Sequence, residues 1–147
     1  MSAFSSIPER TTNKLISPVL DHLQLVTYTP TASQLIKYFQ IYGYTTDTTT
    51  YTENRATLSA GVSLNNASSD DATGTLRIHK NDFRMYNVNV KNTFGVGVQA
   101  IAISQYGSRV GLYGCGFFGY QDTLYANQGT QVYLKGYIEV RLISPCP

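Results

Sequence analysis

The sequence predicts an all-β solenoid, a parallel β-helix, and three observations carry that prediction. From Thr75 onward short alternating runs follow one another, broken by Gly and Asn, with no helical pattern between them. Three of these runs share one outline: Met85-Tyr86-Asn87-Val88-Asn89-Val90, Leu112-Tyr113-Gly114-Cys115-Gly116-Phe117 and Leu134-Lys135-Gly136-Tyr137-Ile138-Glu139. In each, an apolar residue leads, Asn or Gly stands third, and the starts are 27 and 22 residues apart. A period of that size built only of short strands marks repeats that bury their inward side chains by stacking. Hairpin turns of the Asn-Gly or Asp-Gly kind are absent between the runs. Pattern alone leaves an antiparallel sandwich open as the alternative, since it too is made of short strands and Gly turns.

Along the chain, residues 1–34 read as irregular and rich in Ser, Thr and Pro, with one short helix. Ser17 serves as N-cap, Pro18 as first helical residue and Asp21 sits in the first turn. Ile16, Val19, Leu20 and Leu23 fall three and four apart, and the residues around Pro30 end the reading. Gln34–Tyr44 is an apolar, β-prone run, 45–54 a Thr-rich polar stretch, and Thr57–Leu64 an alternating strand. Asn65–Gly74 is a loop holding Asp70-Asp71 and the triplet Asn66-Ala67-Ser68, which can carry a glycan if the chain is exported. Strands are expected at Thr75–His79, Met85–Val90, Gln99–Ser104, Arg109–Phe117 and Gln131–Val140.

Composition narrows the function. At 147 residues the chain suits one domain, and 42% hydrophobic content excludes a generic disordered chain. Eleven basic against nine acidic side chains, a net charge of +2, give no strong electrostatic case for nucleic acid or an anionic membrane. No run approaches the roughly 18 apolar residues of a membrane span. Only 14% of residues are charged, so neutral polar groups and the 12 tyrosines must make the surface, which suits sugar ligands. Cys115 and Cys146 make neither a disulfide framework nor a zinc site, and His22 and His79 lack companions at metal-ligand spacing. Met1–Pro18 does not read as a secretory signal peptide.

The segment richest in chemistry is Gly119-Tyr120-Gln121-Asp122-Thr123-Leu124-Tyr125. A carboxyl among aromatics is desolvated and shifts toward a general acid's range, and a neighbouring Gln can donate to an oxyanion. Gln99 opens a strand about one coil earlier, so stacked coils bring Gln99 and Gln121 to one face. In a straight strand Gln121 and Asp122 would face opposite ways, so a shared site requires a bend there. The bland reading is that both are ordinary turn residues. Weaker candidates are Asp70-Asp71 for calcium against a solvated loop, and Asp82 or Glu139 as glycosidase partners of Asp122. Cys115 reads as a small buried filler, the tyrosines as packing, and no Gly-x-Ser-x-Gly elbow supports a serine esterase.

Gln99-Ala100-Ile101-Ala102-Ile103 and Gly119–Tyr125 resemble two signature blocks of the pectin methylesterases, with Ile41–Tyr51 and Asn87–Thr93 similar to the fungal branch. The resemblance covers 41–139 and is faint at 16–23, where the family has a cap helix. It implies a right-handed parallel β-helix of the pectin-lyase-like kind, partial here, and hydrolysis of methyl esters of homogalacturonan to pectate and methanol. It further implies Asp122 as general acid/base, Gln99 and Gln121 as oxyanion donors, Tyr125 as a sugar contact, and no metal or organic cofactor. The implied partner is pectin, without nucleic acid or membrane, for a monomeric, secreted enzyme. Departures set further expectations. Residues 1–40 match poorly and 140–147 read as an unrelated tail. The family's second Asp, its nucleophile, and its later Arg and Trp are not found, nor is its Gly-x-Tyr-x-Glu block. The sequence thus reads as a truncated product, as a retained intron opening at Val140-Arg141 would make it, with impaired activity and marginal folding. The competing readings are a non-catalytic carbohydrate-binding fragment and another β-helix enzyme, a lyase or polygalacturonase.

Overall fold

The computed structural model describes residues 11–16 and 38–141. The helix expected over Ser17–Leu23 lies outside them, but Ile16, its first apolar position, ends a strand: Thr11–Ile16 forms β1 where an irregular segment was expected. The rest winds in coils. β2 (Tyr38–Gly43), β3 (Ala56–Ala60) and β4 (Leu76–Ile78) form one coil. β5 (Phe83–Tyr86), β6 (Val88–Asn92) and β7 (Ile103–Gln105) form the next. β8 (Val110–Tyr113), β9 (Gly116–Gly119) and β10 (Leu124–Ala126) follow, then β11 (Gln131–Leu134) and β12 (Tyr137–Val140). Corresponding strands stack into three parallel sheets, β1-β2-β5-β8-β11, β3-β6-β9-β12 and β4-β7-β10. This is a parallel β-helix; the antiparallel sandwich is excluded.

Each expected run from Met85, Arg109 and Gln131 is two strands rather than one, because the chain turns a corner inside it. The corner residues Asn87, Gly114 and Lys135 have φ of 53°, 61° and 49°. The left-handed region is open to Gly and tolerated by Asn. The parallel ladder continues through the bend: Asn87 N–H donates to Tyr113 O at 3.0 Å and Gly114 N–H to Leu134 O at 2.9 Å. The Asn87 amide also reaches Thr48 O and Thr50 O, tying the Thr-rich stretch to the corner. The opposite bend, from the third sheet back to the first, repeats the device. Asp82 and Arg109 have φ of 60° and 59°, and their side chains meet in a two-point ion pair, both contacts 2.7 Å.

Inward positions stack like on like. Ile41, Met85 and Leu112 line the first sheet, Leu58, Val90 and Phe117 the second, Leu76 and Ile103 the third, all buried. The three shared outlines do not all align as the sequence suggested. Leu112 lies opposite Tyr133, not Leu134. Tyr133 therefore faces inward, edge-on to Phe117 at 6.0 Å, while Leu134 is 53% exposed. A one-residue register change moves a side chain to the opposite face, so the 22-residue spacing was one too many. The outward tyrosines mostly pack on one another: Tyr42 and Tyr86 stack at 4.7 Å, and Lys135 lies over Tyr113. Val132, Leu134, Tyr137, Ile138 and Val140 are exposed on β11 and β12, each the last strand of its sheet.

In the loop before β4 Asp70 is exposed, but Asp71 is not solvated. A single 3-10 turn, Asp71–Thr73, buries the Asp71 carboxylate against the third sheet. It accepts from Arg77 Nε at 2.9 Å and from Ser104 Oγ at 2.6 Å, and lies 3.1 Å from His79 Nε2. Arg77 Nη2 also contacts it. Burial pushes this carboxyl up, but the hydrogen bonds from Arg77, Ser104 and His79, with the Arg77 charge, outweigh it and hold the group below the usual carboxylate range. Among the described residues no three His, Cys, Asp or Glu side chains cluster to hold a metal ion, and no helix is long and apolar enough to cross a membrane.

Two stability outcomes follow from these contacts. Asn87→Ala lowers the unfolding free energy by about 2 kcal/mol and Asn87→Gly by about half that, since only Gly relieves the left-handed strain; urea melts of both variants check this. Asp71 has a depressed folded-state value, so its stabilisation is full above the unfolded value of about 4 and is lost as pH falls through that value and below. Asp71→Asn should lower the melting temperature at pH 7 and flatten its decline between about pH 4 and 2; thermal melts across pH show whether it does.

Candidate active site

The site forms where the second sheet hands over to the third. After β9 the chain turns through Tyr120–Thr123 before entering β10, a strand where the sequence suggested only a turn. Asp122 takes φ of 59°, which supplies the bend that a shared role for Gln121 and Asp122 requires. Thr123 holds the bend from inside. It is fully buried, its hydroxyl donates to Glu139 O at 2.6 Å, and its carbonyl accepts from Ala102 N and Ile103 N. Gly119 is required because a Cβ there would stand 2.6 Å from Thr123 Oγ1. With Thr123 turned inward, Asp122 is exposed and Gln121 half-buried. The expected desolvation of Asp122 among aromatics is therefore not found.

Gln99 lies on the adjacent coil at the same bend. Ala100 N–H donates to Gln121 O at 3.4 Å, which sets the two glutamines next to each other along the solenoid, one position out of step. Gln99 is half-buried, and its carbonyl accepts from Leu64 N at 3.1 Å. The segment following it is clamped by buried polar groups. The Asn92 amide donates to Val62 O at 2.8 Å, Ile101 O at 3.0 Å and Thr73 O at 3.2 Å. Thr73 Oγ1 in turn accepts from Ile101 N at 3.1 Å. Satisfied polar networks of this kind rigidify what they hold. Sequence reasoning missed Asn92, Thr73 and Thr123 as supports. The available signal was polar residues at positions where the alternation calls for inward, apolar ones.

Tyr125 is in β10, opposite Ser104. Its ring meets Tyr106 edge-on at 6.2 Å, and Tyr106 stacks on His79 at 4.7 Å. Partial burial first, then Tyr125, raises the Tyr106 phenol above its ordinary value. The row ends at Asp71, through His79, so the loop clamp and the aromatic row are one construction. The other candidates go elsewhere. Asp82 is held by Arg109 at the opposite bend, and Glu139 pairs with Arg141 Nε at 2.6 Å, so neither is free to partner Asp122 as a glycosidase acid. Cys115 is buried and its thiol is pushed up to about 11, an inert filler.

A bend that carries an exposed carboxyl and one glutamine, with a second glutamine on the neighbouring coil, holds the residue types that can exchange a proton with a bound substrate and donate hydrogen bonds to a charge developing beside it. Known proteins match this same stretch of chain. The family model described as Pectinesterase matches residues 41–141. Pectinesterase A of Emericella nidulans is 48% identical over 99 residues, 67% of this chain and 30% of that protein. The probable pectinesterase A of Aspergillus fumigatus is 44% identical over 67% of this chain and 31% of its own length. The crystal structure of the pectin methylesterase from Aspergillus niger in deglycosylated form superposes with a TM-score of 0.69 at 44% identity, covering 70% of this chain and 34% of that one. The chain thus spans about a third of the length of these relatives. With a coil register, a bend and a family match that coincide over the same hundred or so residues, this chain belongs to the pectinesterase family.

Proposed function

We propose that residues 41–139 carry the acid/base and oxyanion-binding half of a site that hydrolyses methyl esters of pectin, releasing methanol and leaving pectate. The observation that carries this reading is the placement of Gln99 and Gln121-Asp122 on adjacent coils at one bend, with Asp122 in the left-handed conformation. Asp122 gives a proton to the departing methoxide, and the Gln99 and Gln121 amides donate to the oxyanion of the tetrahedral intermediate. Tyr125 contacts the sugar chain. The substrate is a wall polysaccharide, so the place of action is extracellular. The protein works as a monomer, without nucleic acid or membrane. The solenoid itself reaches past this unit at both ends, through β1 and the start of β2 on one side and Val140 of β12 on the other.

No aspartate follows Asp122 in the 147 residues, and Glu139 is tied to Arg141. Residues 41–139 thus carry the proposed proton donor and oxyanion donors, and a carboxylate that attacks the ester is not assigned among them. Our reading is that these residues by themselves act as an impaired esterase. The same observation favours a second reading, a non-catalytic module that binds methylated homogalacturonan.

Methanol release from highly methylated pectin separates the two. The impaired esterase releases methanol above the uncatalysed rate, and Gln121→Ala lowers that release by roughly 100-fold. Asp122→Asn also lowers it, with binding of methylated oligogalacturonides unchanged. Binding with no release supports the binding module, and neither binding nor release overturns both. In binding assays Tyr125→Ala weakens the complex by about 1–2 kcal/mol if its ring lies against a sugar.

A further inference from the structure

We infer that Asn66 is an N-glycosylation site, its glycan rooted beside Gln99. The inference rests on the extracellular destination proposed above for its biological use. Asn66-Ala67-Ser68 is the single Asn-x-Ser/Thr triplet among the 147 residues. Its chance occurrence in a sequence carries little weight; its geometry carries more. Asn66 ends a tight turn in which its N–H donates to Ser63 O at 3.0 Å. Its own Oδ1 accepts from Ser63 N at 3.0 Å. Ser63 is fully buried, so the turn is anchored in the protein rather than loose on it. With Oδ1 engaged, Nδ2 is the amide atom still open to a partner. No hydrogen bond among the described residues engages Asn66 Nδ2 or the Ser68 hydroxyl, and both residues are exposed. These are the two groups that a glycosyl transfer needs accessible.

The same turn is bolted to the candidate active site. Leu64, two residues before Asn66, donates its N–H to Gln99 O, and Val62 O is one of the three carbonyls held by Asn92. A glycan on Asn66 therefore stands at the Gln99 side of the site, where a bulky hydrophilic group limits approach from that side and keeps the loop in solvent. In the transfer, Asn66 Nδ2 attacks C1 of a lipid-diphosphate-linked oligosaccharide. The N–C1 bond forms as the bond from C1 to the diphosphate oxygen breaks. The amide proton passes to a base of the transferase, the lipid diphosphate leaves, and nothing is oxidised or reduced.

The test expresses the full 147-residue chain in yeast behind an added secretory leader, with a second acceptor triplet on a C-terminal tag to report delivery. Whole-cell lysates are blotted before and after peptide-N-glycosidase, so the result does not depend on release into the medium. Two enzyme-sensitive mobility steps are expected for the chain, one for Asn66→Gln and one for Ser68→Ala, with Ser68→Thr keeping both. A chain showing the tag's step alone, or two steps that survive Asn66→Gln, overturns the site. The leaderless chain expressed alongside bears only on destination: an unglycosylated leaderless chain beside a doubly glycosylated leader-bearing one leaves the site standing and counts against unaided export.

Discussion

The corner between the first and second sheets is the constraint on which the rest of the structure depends. In the three later coils one left-handed residue at this corner, Asn87, Gly114 and Lys135 in turn, lets the chain change sheets without leaving the parallel ladder. Because the hydrogen bonds run through the bend, each coil is held in register with the next at the corner as well as along the strands. Register decides which side chains face inward, so the core is a consequence of the corner. Where the corner needs space, small residues stand: a Cβ at Gly43 would lie 2.0 Å from Asn87 O. Adjacent coils approach too closely there for any side chain.

The second theme is the use of buried polar groups to carry irregular chain. A solenoid coil is interrupted where loops leave it, and there the ladder cannot satisfy the backbone. Asn92 serves three carbonyls, Thr73 bridges to Ile101, Thr123 reaches Glu139 O, and Asp71 gathers Arg77, His79 and Ser104. These contacts surround Gln99 and the Gln121-Asp122 bend. The candidate side chains are half-buried at Gln99 and Gln121 and exposed at Asp122, while the buried groups that hold the surrounding chain lie below them. Gln105 departs from this economy. It faces the interior fully buried, and neither its amide nitrogen nor its oxygen finds a partner among the described residues.

Sequence reasoning read the strand content, the solenoid and the grouping of Gln99, Gln121 and Asp122, because each leaves a local trace. Alternation marks strands, Asn or Gly marks corners, and a Gln-Asp pair between aromatics marks chemistry. Three things left no local trace. β1 pairs with β2 across a stretch of chain whose one periodic signal, Ile16 to Leu23, has helical spacing and gives no hint of a strand pairing. β10 is three residues long and resembles a turn because the bend before it uses polar residues. The one-residue offset of Tyr133 from Leu134 is invisible when both are apolar enough to face inward.

What the sequence determined by itself is therefore the class of fold, the family and the identity of the candidate functional residues, since these depend on residue type and spacing. What only the tertiary structure decided is environment. Asp122 among aromatics in sequence proves exposed in space, because Thr123 takes the inward position at the bend. Asp71, one of a pair in an apparently solvated loop, proves to be the buried anchor of that loop. Burial and partnership are set by which coil lies above and below a residue. That depends on contacts between positions far apart in the chain, which no short window of residues contains.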